Sequence, residues 1–483
     1  MKLLLVPIAL ALLGLAVAVV KLFVRWEREG KEQLAPLVLL GLLIVEATIY
    51  ANQNSIPRGI FHPGSGSTQL RLPEVYITLA LVARLIARGR PTRIGLPAGL
   101  WLAFAAWLVV GVVEGHLYHN VLSQDLYEGK DIIYIVGAYA LAAGVPVRRY
   151  FDSGDLFKLG WLCVACISVV DVMTIGKIAV NTNLPLLPLQ DFGAVGSETA
   201  AIAFAVVFTC FLCRLAAGPV RLWNVLALVP VVVSLVLADQ RAVLVNVAVV
   251  VMVLFLVLLV GHRHGMAPRF HVGLGHVVLT FLAVAAVVIA VLVVPAAVDR
   301  RPVTIPLAST FQNLFHSEGK AESAQDRLNL AAQAETLIPQ HLLIGWGLGV
   351  EFPYYETGSR TIVTTAYAHN IVLDLWLRVG LIGLALFLIA LFASAAGGLR
   401  TWRRHPDPMT AALSLAVVAV SAGLIATAFL EPFLDEYRLA TLFGVFLGMG
   451  RAGVTSMARL PRPGIERPGA DSLKIVTGGA GWT

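Results

Sequence analysis

Apolar runs long enough to cross about 30 Å of hydrocarbon recur along the whole chain. No water-soluble core absorbs that many, so the fold class follows: all-α, a polytopic integral membrane helical bundle. Only 13% of the 483 residues are charged and 58% are hydrophobic, where a soluble chain carries about 25% charged residues. Candidate spans fall at 3–20, 35–50, 73–87, 96–113, 131–146, 157–174, 198–213, 222–238, 242–260, 273–296, 371–394, 410–430 and 436–450. That gives about 12–13 transmembrane helices. The first span has only Lys2 ahead of it and no A-x-A-like end, so it reads as a retained helix rather than a cleaved signal.

The net charge of +7 does not point to nucleic acid, because the basic residues sit between spans. Lys21, Arg25, Arg28 and Lys31 fall in one connection, and Arg84, Arg88, Arg90 and Arg93 in another. Arg148, Arg149, Lys158, Arg214, Arg221, Arg263, Arg269, Arg400, Arg403 and Arg404 continue the series. With an odd number of spans these connections share one side, which the positive-inside rule makes cytoplasmic. The chain then divides into helices over 1–296, a long, partly helical extracytoplasmic loop over 297–370, further spans over 371–450, and a cytoplasmic tail over 451–483. The tail is rich in Pro, Gly and Arg and reads as disordered. The expected location is the inner (cytoplasmic) membrane, with the long loop facing outside.

Two cysteine pairs, Cys163/Cys166 and Cys210/Cys213, have CxxC spacing but lie inside apolar runs. They read as small apolar packing residues. No P-loop, no H-E-x-x-H and no zinc spacing occurs outside the spans. Polar residues near span edges are Glu46, Glu114, Asp171, Asp239, Gln240, Arg241, Asp374, Arg378, Glu431, Asp435 and Arg438. By the assigned topology all lie toward the outer half and suggest a polar cavity beneath the long loop. Asp374 and Arg378, spaced i,i+4, are also placed to pair with each other.

The long polar segment holds the residues that can carry chemistry. A helix over about 321–338 places Leu330, Ala331, Ala334, Leu337 and Ile338 on one stripe. Arg327 projects into the middle of that stripe, while Asn329, Gln333 and Thr336 lie opposite. If the stripe docks on the bundle, the guanidinium is carried inward and needs an anion; the alternative is snorkelling to lipid phosphate or pairing with Glu335 or Asp326. Arg241 sits at a short junction of two spans, either as a headgroup anchor or as a second fixed guanidinium. Guanidinium binds two oxygens of a diphosphate at once. His369 stands with Asn370 at the start of a span; an unperturbed imidazole is mostly neutral at pH 7 and can accept a proton. Gly345, Gly347 and Gly349 allow a tight return of the loop toward the bundle.

Arg327 with its helix, Gly345-Trp346-Gly347-Leu348-Gly349, Ala368-His369-Asn370 and Gly380-Leu381-Ile382-Gly383 together resemble the signature of the O-antigen ligase and O-antigen polymerase superfamily. Asp239-Gln240-Arg241-Ala242 falls where that family commonly carries a Ser-Arg-Gly-Ala-like junction. The resemblance covers mainly 238–385. It implies a membrane glycosyltransferase that takes a glycan from a polyprenyl (undecaprenyl-type) diphosphate to an acceptor hydroxyl, in cell-surface polysaccharide assembly. The transfer would occur at the outer face, with inversion and with no metal or cofactor. Arg241, Arg327 and Asn370 would bind donor, the two arginines would offset leaving-group charge, and His369 would act as base. The acceptor would be a glycan, a lipid or another surface molecule; ligase and polymerase are not separated. A transporter or flippase for lipid-linked sugars is the reading from another class, and a structural membrane protein a third. The flippase predicts two related halves and mid-bilayer charges, and neither stands out here.

Overall fold

The computed structural model describes residues 2–50, 71–88, 96–120, 122–152, 154–183, 197–218, 222–237, 241–263, 318–366, 368, 370–429 and 436–457. The helices are α1 (Lys2–Arg28), α2 (Leu34–Tyr50), α3 (Leu72–Arg88), α4 (Leu96–Leu117), α5 (Leu122–Ala143), α6 (Arg149–Asp152), α7 (Asp155–Asn183) and α8 (Ser197–Ala217). They continue as α9 (Leu222–Leu226), α10 (Leu228–Leu237), α11 (Arg241–Arg263), α12 (Glu318–Leu337), α13 (Ile371–Arg404), α14 (Pro408–Ala428) and α15 (Tyr437–Met457). Every predicted span contains a helix except 273–296, which lies outside the described residues. The chain is a polytopic helical membrane protein. Among the described residues five helices are long and apolar enough to cross a membrane: α4, the described part of α7, α8, α13 and α14. The apolar window of α8 is 89% buried and that of α14 78%, against 22% for α4, so α8 and α14 form the centre and α4 the periphery.

Small residues set how closely the helices approach. Gly444 and Gly448 on α15 form a G-x-x-x-G pair against α5: a Cβ at Gly444 would lie 2.4 Å from the Ile135 carbonyl oxygen, and one at Gly448 2.6 Å from that of Tyr139. Backbone meets backbone there, the contact that small-xxx-small spacing permits in lipid. The four cysteines are free thiols; Cys210 packs on Gly160 and donates to the Leu156 carbonyl at 3.3 Å.

Two ends of the bundle are distinct. At one, Glu27 receives Arg84 (2.7 Å) and Arg88 (2.8 Å). Gly30 lies against the Arg149 guanidinium, and Gln33 donates to Asp155 at 3.2 Å. The first three basic connections therefore gather together. At the other end, Thr199 on α8 donates to the Ala47 carbonyl of α2, Asn246 of α11 meets Gly423 of α14, and Ile371 of α13 lies beside Phe429.

Of the span-edge residues, Glu46, Asp171, Asp374, Arg378 and Arg438 are buried and held by partners. Tyr437 donates to buried Glu46, and Arg438 pairs with Glu198 at 2.5 Å while lying 3.7 Å from Glu46. Arg71 stacks over the Tyr437 ring at 4.3 Å. Tyr134 and Lys130 of α5 both engage Glu74 of α3, at 2.7 and 2.5 Å. Asp171 accepts from Ser234. Helices close over these groups because a buried charge is tolerated only when paired. Asp239, Gln240, Glu431 and Asp435 lie outside the described residues.

Candidate active site

The amphipathic pattern of α12 is realised as a docked helix. Leu330, Ala334 and Ile338 are buried and pack with Val350, Phe352, Ala368 and Leu377. Arg327 precedes Leu330 by three residues and Ala334 by seven, so it lies on the docked stripe and is half-buried. The flanking residues tie the helix to a hairpin inside the predicted loop. Asp326 Oδ1 accepts from the Thr357 amide at 2.6 Å, and Asn329 Nδ2 donates to the Tyr355 carbonyl at 2.9 Å.

That hairpin pairs β1 (Phe352–Glu356) antiparallel with β2 (Thr361–Thr365), with Phe352 opposite Thr365 and Glu356 opposite Thr361. Its signals are a β-branched run, Thr361-Ile362-Val363-Thr364-Thr365, and a Thr-Gly-Ser-Arg turn. Phe352 points into the α12 core at 1% exposure. Burial, with Glu356 and Asp326 nearby, pushes the Tyr354 phenol above its usual pKa.

Between α12 and the hairpin, a 3-10 turn (Ile338–His341) leads into the glycine-rich turn. Gly345, Gly347 and Gly349 all have left-handed φ, at +86°, +83° and +72°. A Cβ at Gly347 would lie 2.0 Å from the Gly115 nitrogen, and one at Gly345 2.6 Å from the Arg378 carbonyl. Glycine is required on both counts. The turn threads between α4 and α13: Trp346 N donates to the Leu377 carbonyl at 2.8 Å, and Leu348 N to the Gly111 carbonyl at 2.9 Å. The end of α4 completes the clamp. His119 takes φ +62°, the Asn120 amide returns to the Gly115 carbonyl at 2.9 Å, and this left-handed cap aims the Asn120 side chain at the Trp346 and Leu348 carbonyls (3.1 and 2.8 Å).

α13 is two helical pieces joined at Gly380, whose φ of +68° and ψ of −177° are not helical. The break frees backbone groups that the turn then uses: Leu381 N donates to the Leu342 carbonyl at 3.0 Å and Ile382 N to the Leu343 carbonyl at 3.2 Å. Trp107 of α4 donates to the Val379 carbonyl at 2.8 Å. At the start of α13, Asn370 is the N-cap, its side-chain oxygen accepting from Val372 N and Leu373 N. Asp374 and Arg378 pair at 2.9 Å. Asp374 also accepts from Ala368 N at 3.3 Å, and Arg378 donates to the Ala366 carbonyl at 2.6 Å.

The sequence-assigned residues are placed as follows. Arg327 lies on the docked face of α12. Arg241 is the first residue of α11; its side chain lies outside the described set. His369 lies outside the described residues, while its neighbours Ala368 and Asn370 are described. Asn370, assigned to substrate, commits its Oδ1 to the helix cap. The Asn246–Gly423 contact brings the Arg241 end of α11 to the Ala428 end of α14. Phe429 beside Ile371 brings that same end to the start of α13, against which α12 docks. The start of α11, Ala368 and Asn370, and α12 thus lie at one end of the bundle. Among the described residues no three His, Cys, Asp or Glu side chains are grouped for a metal. Sequence reading missed Asn120 and the backbone role of Asp374 and Arg378. The first was signalled by a polar His-Asn pair directly after an apolar helix.

No curated protein matches the chain. Residues 226–388 match the family model described as O-antigen ligase, a stretch that includes α12, the glycine-rich turn, the hairpin and the first piece of α13. The match spans 163 of the 483 residues, so this part of the chain is similar to the O-antigen ligase family.

Proposed function

We propose that the protein is a membrane glycosyltransferase moving a glycan from a polyprenyl diphosphate carrier to an acceptor hydroxyl, with inversion, at the outer face of the cytoplasmic membrane. The observation that supports this reading is the docking of α12: the stripe that carries Arg327 also carries Leu330, Ala334 and Ile338, which pack with Ala368 and with Leu377 of α13. Diphosphate is already a good leaving group, so the protein's task is to offset its growing negative charge. The guanidinium groups of Arg327 and Arg241 take this role, because charges held in place before reaction need little reorganisation during it. His369 takes the acceptor proton, an effect worth about 10²–10⁴-fold. The bilayer restricts the carrier to lateral approach, and that orientation replaces a dedicated soluble binding domain.

The experiment is analysis of lipid-linked intermediates and surface glycan in cells lacking the protein. Long glycan left on the carrier identifies a ligase; single repeats identify a polymerase. Unchanged carrier-linked glycan and unchanged surface polysaccharide overturn the assignment.

A further inference from the structure

Leu342, Leu343 and Ile344 stand in a row at 43%, 55% and 39% exposure, in a segment that is not helical and that the sequence places in a water-facing loop. From Leu342 to Val350 no residue is charged. Two carbonyls of this row are already satisfied within the protein. The Leu342 carbonyl accepts from Leu381 N at 3.0 Å and from Trp376 Nε1 at 3.2 Å, and the Leu343 carbonyl accepts from Ile382 N at 3.2 Å. Gly345 N donates to the His341 carbonyl at 2.9 Å. Irregular backbone survives at membrane depth only where such partners replace water.

The row also continues an exposed apolar surface of α13. It bonds to Leu381 and Ile382, themselves 40% and 38% exposed, on a helix long and apolar enough to cross a membrane. Gly380, the point of contact, lies about 13 Å along α13 from Ile371, at 1.5 Å per residue. Tyr118, His341 and Trp346 cluster at the rim: the Tyr118 hydroxyl meets His341 Nδ1 at 3.1 Å, and the His341 and Trp346 ring centroids are 4.0 Å apart. Aromatic rings with polar edges are the groups that settle at the headgroup level.

We infer that Leu342–Ile344 is a re-entrant wedge inserted among the acyl chains of the leaflet at the α12 end, with Tyr118, His341 and Trp346 at headgroup depth. Its partner is phospholipid acyl chain. The wedge anchors the glycine-rich turn, and through it the end of α12, at a fixed depth in the bilayer. This inference does not depend on the proposed reaction.

The test uses the full chain in phospholipid vesicles, without substitution. Hydroxyl-radical footprinting reads water contact, and a phospholipid carrying a diazirine high on its acyl chain reads lipid contact. Oxidation of the Leu342–Ile344 peptide is expected to match that of Leu330, which is 2% exposed, and not that of Ile362 on the hairpin, which is 75% exposed. Crosslinks to the peptide are expected as well. Oxidation at the Ile362 level overturns the inference. Protection without lipid crosslinks overturns it too, because protein would then be the cover.

Discussion

Asp374 and Arg378 form a buried ion pair, 2.9 Å apart and one turn apart in the first piece of α13. Each also holds backbone across the approach to the helix: Asp374 the amide of Ala368, Arg378 the carbonyl of Ala366. Removing one partner strands a charge, so Asp374→Ala should cost about 3–5 kcal/mol, read as a loss of thermal stability in detergent. The double variant Asp374→Leu with Arg378→Met should recover most of that loss, because an apolar pair replaces an ionic one. It should not recover transfer activity, since both backbone contacts remain missing. Recovery of both would leave the pair a purely structural element.

Gly347→Ala and Gly380→Ala should each disable the protein without touching a charged group. The left-handed backbone alone costs a non-glycine residue about 1–2 kcal/mol. The added methyl at Gly380 would also lie 2.2 Å from the Leu343 carbonyl oxygen. Gly14→Ala is the matched control, because nothing stands within 4 Å of its Cβ position. Yield of folded protein by size-exclusion chromatography separates the three.

Asn120→Ala removes two donations into the glycine-rich turn, to the Trp346 and Leu348 carbonyls. Loss of a half-buried side chain of this kind costs about 1–3 kcal/mol. Asn120→Asp should be worse than Asn120→Ala, since a carboxylate cannot donate and faces two carbonyl oxygens. Denaturation midpoints of the three proteins check the order.

Gly444→Leu and Gly448→Leu should separate α15 from α5, where backbone contact leaves no room for a side chain. The Tyr437–Glu46 and Arg438–Glu198 contacts at the start of α15 should be lost with them. Gly450→Ala should be mild, because its nearest neighbour is the end of the Val417 side chain at 3.0 Å. Proteolytic resistance in membranes distinguishes the outcomes.

The helical bundle was legible because hydropathy acts locally: a run of apolar residues marks a span whatever packs beside it. The docked face of α12 was legible for the same reason, since Leu330, Ala334 and Ile338 recur at helical spacing. The hairpin was not, because five-residue strands in a mixed loop carry too little periodicity to stand out. The pairing of the charged span edges is not legible, because it is a tertiary fact. Nothing in the sequence near Glu46 announces Tyr437 or Arg438. Gly380 was noticed only as part of a resemblance; that it breaks a helix to receive Leu342 and Leu343 depends on a segment far away in the chain.

The most direct test of the central claim is the transfer rate of Arg327 variants in vesicles loaded with purified lipid-linked donor and acceptor. Arg327→Ala should fold normally and lose about a hundredfold to a thousandfold in turnover, the scale of removing a preorganised charge-stabilising group. Arg327→Lys should recover only part, because ammonium cannot present a planar fork to two oxygens. A folded Arg327→Ala protein that transfers glycan at the wild-type rate would contradict the account.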